Sequence, residues 1–259
     1  MAEAVRPEFI SRDPDQILSE LITQYETETE RVLQSAQVER LILNAFAYRV
    51  SLLRSAIQEA ATQNLVAFAS APVLDYLGEL VGVKRLAAVA ATTTLRVTLV
   101  TGHNDVIIPA GTRVGSSDGK VVFSTDIDTP VSSSTNVVDI QGTCNVAGVS
   151  GNGYIAGSIK LIIDPQPYIS SITNPFTTSQ GSDQESDDAL RERIKIAPAA
   201  FSNAGSRGSY EYWAKSAHPA IVDVTVRSVT PGVVEIYPLA TGGTTTAIIN
   251  AVTATCNGE

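Results

Sequence analysis

The chain has 259 residues, of which 44% are hydrophobic and 17% are charged. This composition is typical of an ordered globular protein and excludes a disordered one, and the length allows two or three small domains. The formal net charge of −9 is spread along the sequence without a basic stripe, which argues against direct nucleic-acid binding.

Cys144 and Cys256 lie far apart without the spacing of a metal site. We expect two free thiols in a reducing compartment. The N-terminus has no apolar core of a signal peptide, and no run reaches 18 apolar residues. The sequence therefore predicts neither a signal peptide nor a membrane span.

Residues 1–89 are predicted to be helical after an extended arm at 1–12, where Pro7 and polar residues interrupt any period. Asp13 offers an N-cap and Pro14 suits the first helical position, so a helix is predicted over 13–31. A short helix is predicted over 73–81, with Gly82 as its C-terminal signal. The apolar stripe of the first helix consists of Ile17, Leu18, Leu21, Ile22 and Tyr25.

A longer helix is predicted from about 37 to 64, and it is apolar on more than one side. One edge carries Val38, Leu41, Ile42, Ala45, Tyr48, Leu52, Ala56 and Ile57, and a second carries Leu43, Phe46, Val50 and Leu53. Two interpretations remain open. Either the helices at 13–31 and 73–81 cover these residues, or the helix joins a bundle built from several chains.

From residue 90 the apolar period changes to two, as in strands. Short strands separated by Gly and Pro turns are predicted at 94–100, 106–114, 120–125, 137–140 and 159–163. They predict a small β-sandwich or barrel over residues 90–164. The segment 165–180 contains three prolines and little periodicity, so it is interpreted as a linker.

Residues 181–259 are predicted to form an α+β domain. Ser186 caps a helix on which Leu190 and Ile194 share one face while Arg191 and Arg193 project elsewhere. A second helix over 209–217 carries Trp213, a hairpin follows at 221–227 and 233–239, and a last helix spans 245–256. One sheet edge is left unpaired, which predicts an incomplete domain that either further sequence or a partner completes. The whole chain is thus predicted to be an α+β multidomain protein with helical, all-β and α+β parts in that order.

Candidate sites for chemistry are weak. Asp183, Glu185, Asp187 and Asp188 begin like a calcium loop, but the glycine and the final glutamate of that motif are missing, so a charged helix start is the plainer interpretation. His103 and Asp105 are close enough in sequence to transfer a proton, although a turn is the plainer role. We therefore assign no catalytic residue, no cofactor and no metal site.

Seven segments together resemble the baseplate J-like proteins of contractile phage tails and tailocins. They are ELITQYE at 20–26, LDYLGELVGVKRL at 74–86, IPAGTRV at 108–114, GNGYIAGSI at 151–159, GSDQESDDALRERI at 181–194, NAGSRGSYEYWA at 203–214 and VDVTVRSVTPGVVEIYPL at 222–239. The resemblance implies a structural wedge subunit without enzymatic activity. Members of this family usually continue past the equivalent of residue 259 with further strands.

The resemblance also implies the partners, which are a second copy of the chain, a smaller wedge protein, and other baseplate, hub and sheath-proximal proteins. It implies a helical bundle and a ring around the tail hub, located in a virion tail or tailocin baseplate that is assembled in the bacterial host cytoplasm. The expected interface residues are Val38, Leu41, Leu43, Ala45, Phe46, Val50, Leu52, Leu53, Ala56 and Trp213. The alternative function is a carbohydrate-binding or adhesin-like tail protein, which would need exposed aromatics, whereas residues 90–163 contain only Phe123 and Tyr154.

Overall fold

A computed structural model describes residues 5–201 and 205–258, and the chain divides after Gly82 into two compact units. The predicted α+β organisation is confirmed, with a helical N-terminal unit followed by a unit that contains a barrel-like sheet and an α+β part. No helix within the described ranges is both long and apolar enough to cross a membrane.

The N-terminal unit contains helices α1 (Pro14–Thr29), α2 (Val38–Gln63) and α3 (Val73–Glu79). Asp13 caps α1 by accepting a hydrogen bond from the Asp15 amide, as its position before Pro14 predicts. Within the predicted stripe of α1, Ile17 is buried and the other members are half-buried. Helix α3 ends at Glu79 with Leu80 as its C-cap, and Gly82, with a left-handed φ of 74°, lies in the turn that follows rather than at the cap.

The first strands of the C-terminal unit form a nearly closed antiparallel barrel. They are β1 (Ala90–Leu99), β2 (Val106–Ile108), β3 (Arg113–Ser116), β4 (Val122–Thr125), β5 (Thr129–Val131), β6 (Val137–Ala147), β7 (Ile159–Ile162) and β8 (Ile169–Thr173). Six of them form one sheet in the order β7-β3-β4-β6-β1-β8, and β2 pairs with β5 beside it. Of the two architectures predicted, the sandwich and the barrel, the structure shows the barrel.

The interior of the barrel is apolar and closely filled. Six of its side chains are fully buried, namely Leu95, Val97, Ile108, Val114, Phe123 and Ile159. Gly142 is needed opposite β1, because a Cβ atom there would come within 2.6 Å of the Leu95 side chain. The alternation of apolar and polar residues thus places one row of side chains in a core that the barrel builds from its own strands.

The prediction that residues 165–180 form a linker is wrong, because this segment contains β8. Strand β8 pairs with β1, and the chain then returns to β1 through a bridge between Thr92 and Ser179. The pairing shifts between Thr98 and Leu99, which leaves Ser170 without an opposite residue. Because of this bulge, Ile169 and Ile172 are three positions apart and yet both buried, so the period of two that would have indicated a strand is absent.

The α+β part follows the predicted order. It consists of α4 (Asp187–Ile196), a 3₁₀ turn (Ala197–Phe201), α5 (Arg207–Ser216), β9 (Ile221–Arg227), β10 (Glu235–Ala240) and α6 (Thr246–Asn257). Ser186, Ser206 and Thr245 each cap a helix with the side-chain oxygen. Among residues 205–258, β9 and β10 pair only with each other, and α5 and α6 pack against this hairpin.

Candidate interaction surface

Helix α2 buries a polar side. Its buried residues are Ala47, Ser51, Gln58 and Thr62, which recur at spacings of three, four and seven and therefore lie along one side of the helix. A helix that packs by the hydrophobic effect alone would bury its apolar residues instead. The polar side is buried because hydrogen bonds hold a neighbouring segment against it.

The neighbouring segment is the predicted extended arm, of which residues 5–12 are described and non-helical. The amide group of Gln58 binds the arm twice, because its nitrogen donates to the Pro7 carbonyl at 2.7 Å and its oxygen accepts from the Phe9 amide at 2.8 Å. Ser51 donates from Oγ to the Arg12 carbonyl at 2.7 Å. The arm thus supplies partners for side chains that would otherwise be buried without hydrogen bonds.

The apolar residues of α2 lie on the opposite side and are exposed. Val38 is 67% exposed, Leu41 60%, Phe46 59%, Leu52 46% and Leu53 60%. Ala45 and Ala56 are also exposed, while Leu43 and Val50 are half-buried. Ile42, Tyr48 and Ile57 from the same stripe add to this surface. We call the exposed members of this set the α2 apolar face.

This arrangement decides against one of the two open interpretations of the long helix. Helix α1 packs against α2, but neither α1 nor α3 covers the α2 apolar face. Intramolecular cover is therefore wrong for these residues within the described chain. That another chain covers them stays a prediction.

Trp213, the tenth predicted interface residue, belongs to the other unit. It lies on α5, is 41% exposed, and meets the ring of Tyr212 edge-on, with ring centroids 5.1 Å apart. Tyr212 is buried, so it fixes the orientation of the indole while leaving part of it open to solvent. Trp213 and α2 are thus two separate candidate contacts in two separate units.

A buried ion pair, which the sequence did not reveal, holds the start of the C-terminal unit to α4 and α5. Glu185 accepts from Nε of Arg193 at 2.6 Å and from Nη2 at 2.8 Å, and the two side chains are 2% and 5% exposed. Arg193 also donates to the Lys84 carbonyl at 2.6 Å and to Ser216 Oγ at 3.0 Å, and the Leu86 amide donates to Glu185. The charged helix start predicted from the sequence is present, with Asp187 and Asp188 in the first turn of α4, while Glu185 before the cap is buried.

The four carboxylates that resembled a calcium loop are directed to protein partners. Asp183 accepts from the Val149 amide at 3.0 Å, Asp187 pairs with Arg85 at 2.7 Å, and Asp188 pairs with Arg191. Across the described part of the chain, no group of three or more His, Cys, Asp or Glu residues is placed to hold a metal ion.

His103 and Asp105 are each engaged in a turn beside β2. The two ring nitrogens of His103 lie 2.6 Å from the Asn104 carbonyl and 3.0 Å from the Thr135 carbonyl. Asp105 accepts from the Ser133 amide at 2.7 Å, and this hydrogen bonding lowers the pKa of its carboxyl. Both side chains therefore fasten main-chain segments, as the turn interpretation predicts.

The two aromatic side chains of residues 90–163 are not presented together on the surface. Phe123 is fully buried, and Tyr154 packs partly against the barrel core and donates to Asp118 at 3.4 Å. Burial raises the pKa of the Tyr154 hydroxyl. Phe176 follows β8 and is 65% exposed. Among residues 164–180 it is the one aromatic side chain that solvent reaches extensively.

Three family profiles match most of the sequence. A Baseplate J-like N-terminal domain matches residues 40–92, a Baseplate J-like protein barrel domain matches residues 94–181, and a Baseplate J-like central domain matches residues 202–259. The second match extends past residue 164 and includes β8, in agreement with the barrel. No curated protein matches the sequence significantly.

Among solved structures, a chain of the cryo-EM structure of the anti-feeding prophage (AFP) baseplate is similar to this protein. The two are 16% identical, with a TM-score of 0.48. The match covers 83% of this chain and 58% of the AFP baseplate chain, so this chain spans little more than half of that chain's length.

Proposed function

Since this chain belongs to the baseplate J-like protein family, we propose that it is a structural component of the baseplate wedge of a contractile tail. In this role it acts through interfaces and has no catalytic group. The N-terminal unit contributes to a helical bundle, and the C-terminal unit contributes to a ring around the tail hub.

The α2 apolar face is the observation that carries this proposal. Large apolar side chains such as Phe46 and Leu53 are exposed along the helix, while the opposite side of the same helix is covered by the arm. A contiguous apolar surface of this kind favours association, because burial of apolar area is worth roughly 25 cal/mol per Å². A second helical surface would complete the core that α1 and α2 begin.

The proposed partners are a second copy of this chain, a smaller wedge protein, and other hub and sheath-proximal baseplate proteins. Trp213 is proposed as a contact of the C-terminal unit, since partly exposed tryptophans are enriched at interface centres. The particle is a virion tail or a tailocin, and the proposed place of assembly is the cytoplasm of the bacterial host.

A charge placed on the α2 apolar face tests the proposal. We expect Phe46→Asp to abolish co-purification with neighbouring tail proteins, because a carboxylate would have to be buried without a partner. The measurement is affinity co-purification followed by the mass of the complex. Asn44→Asp is the matched control, since it adds the same charge at an exposed polar position two residues away on α2.

Both variants should unfold at the temperature of the wild type, because neither position is buried in the isolated chain. Wedges that still assemble with Phe46→Asp at the wild-type mass would contradict the proposal. So would loss of assembly with Asn44→Asp to the same extent, since the effect would then come from charge alone.

A further inference from the structure

A half-open groove of about 570 Å³ lies within the C-terminal unit, where the segment leaving the barrel passes the start of β9. Its lining includes the apolar side chains of Leu86, Pro219 and Val222 and the polar side chains of Ser182 and Asp183. A groove of this size, in which apolar surface and polar groups meet, has the general character of a binding site.

A bulge in β9 affects Val222, one of the apolar residues in the groove lining. Leu239 lies opposite Asp223 and the next pair is Ala240 with Ile221, so Val222 has no opposite residue in the hairpin. Its side chain is 62% exposed and belongs to the groove lining. The bulge thus leaves an apolar side chain unpaired in the lining of the groove.

The carboxylate of Asp183, in the lining of the groove, is held in place by a hydrogen bond. Its Oδ1 accepts from the Val149 amide at 3.0 Å. The preceding residue, Gly148, has a left-handed φ of 119°, and a Cβ atom there would come within 2.8 Å of Asp183 Oδ1. Within the described chain Asp183 has no cationic partner, so the carboxylate is fixed while its charge is not compensated by an ion pair.

Ser182, which also belongs to the groove lining, has a hydroxyl group without a hydrogen-bond partner. It is 6% exposed, and its Oγ is the one buried side-chain polar atom among residues 5–201 and 205–258 without a hydrogen bond. The main chain of Ser182 is fully used in two hydrogen bonds with Val89. Buried hydroxyl groups are nearly always satisfied, because an unmade hydrogen bond is costly. A ligand donor that reaches this hydroxyl from the groove would supply the missing bond.

The other charges at the groove do not oppose a cationic ligand. Lys215 pairs with Asp223 at 3.4 Å, and Arg193 is neutralised by Glu185. Nδ1 of His218 accepts from the Ala220 amide, and burial lowers the pKa of this imidazole, which keeps it neutral at physiological pH.

We propose that this groove binds an arginine or lysine side chain presented by an extended segment of a partner polypeptide. The aliphatic stem lies on Val222 and Pro219, and the cationic head donates to Asp183 and Ser182. Both basic side chains combine an apolar stem with a strong donor, which matches a lining that contains both apolar and polar groups. The proposal goes beyond the role of α2 and does not depend on it.

The test uses the full chain and a fluorescein-labelled peptide of alternating valine and arginine, with binding followed by fluorescence anisotropy. The comparison peptide replaces each arginine by citrulline, which keeps the shape and removes the charge. We expect the arginine peptide to bind at least about tenfold more tightly, as charged hydrogen bonds allow. Asp183→Asn should weaken it by about tenfold, whereas Asp126→Asn, at an exposed aspartate outside the groove, should not.

Ser182→Ala gives a second readout. Removing a hydroxyl that lacks a partner should leave the melting temperature unchanged or raise it, and should weaken the arginine peptide several-fold. Equal binding of the two peptides, no saturable binding, or arginine-peptide binding unchanged by Asp183→Asn would each overturn the proposal. A binding defect confined to Phe46→Asp would overturn it as well, since the peptide would then occupy the α2 apolar face instead.

Discussion

The barrel and helix α2 distribute their apolar residues in opposite ways. In the barrel, Phe123 is fully buried by strands of the same sheet, whereas in α2 Phe46 is 59% exposed and Gln58 is 3% exposed. Both segments show a clear apolar period in the sequence. The period identifies which residues share a side, and it does not tell whether that side meets its own chain.

The difference follows from what each region can offer its own side chains. A nearly closed sheet surrounds its inward row with other inward rows, so the core is complete without help. Helix α2 has a polar side that binds the arm through directional hydrogen bonds, and this fixes the helix with its apolar side outward. The barrel thus buries its apolar residues within its own core, while α2 leaves its apolar side exposed, which favours association.

The largest effect is expected where the same truncation is made in both regions. Phe123→Ala should lower the free energy of unfolding by about 3–5 kcal/mol, since it leaves a cavity in the barrel core. Phe46→Ala should change it by no more than about 0.5 kcal/mol, because the ring already contacts solvent. Urea unfolding of each variant measures the difference. Equal losses would mean that α2 is buried in solution by its own chain.

The buried ion pair is expected to have the next largest effect, and it extends the comparison to the α+β part. Arg193→Met leaves the carboxylate of Glu185 buried without its partner, which should cost about 3 kcal/mol in urea unfolding. Arg96→Met is the matched control, because its pair with Asp139 is exposed and should contribute little to stability. If the two variants lose equal stability, Arg193 does not hold the segments together.

The hydrogen bonds of the arm should contribute less. Gln58→Ala removes the two bonds to Pro7 and Phe9, and we expect a loss of about 1–3 kcal/mol and release of the arm. Trypsin should then cleave faster after Arg12, which mass spectrometry can follow. Gln24→Ala on α1, where the amide is exposed, is the control. An unchanged cleavage rate in Gln58→Ala would show that other contacts hold the arm.

Most elements of this fold follow from local sequence rules. Ser186 caps a helix as predicted, and β9 begins and ends where the alternation from Ile221 to Arg227 does. Strand β8 does not follow, because its bulge at Ser170 breaks the period of two between Ile169 and Ile172. Its pairing with β1 is a contact across some 70 residues of sequence, which a local pattern does not contain.

The residues of the candidate surfaces likewise divide into those that local sequence rules predict and those that they do not. The members of the α2 apolar face were predicted from helical spacing, because that spacing depends on local geometry alone. Glu185 and Arg193 were not recognised as buried, since their burial depends on the Lys84 carbonyl and on Ser216, which are distant in sequence. The same holds for Ser182 and Val222, whose proximity arises only when the barrel and the hairpin are both formed.

The smallest expected effect concerns pH and the strand pair β3–β7 at one edge of the barrel sheet. Asp164, just after β7, accepts from Nε of Arg113 at 2.9 Å and from Nη2 at 2.8 Å, and this lowers the pKa of its carboxyl to about 2. Because the folded pKa lies below the unfolded value of 3.8, the stabilisation is present above about pH 4 and is lost as the pH falls toward 2.

Asp164→Asn should therefore remove part of the fall in melting temperature between pH 4 and pH 2, and it should lower the melting temperature slightly at pH 7. Thermal unfolding at closely spaced pH values measures the difference between the variant and the wild type. Asp126→Asn, an exposed aspartate on the same barrel, is the control. The effect must be small, because the Arg113 and Asp164 side chains are 52% and 33% exposed and water screens their interaction. A pH profile of Asp164→Asn that parallels the wild type would show that Arg113 and Asp164 contribute nothing to the pairing of β7 with β3, and that the main-chain hydrogen bonds between these strands suffice.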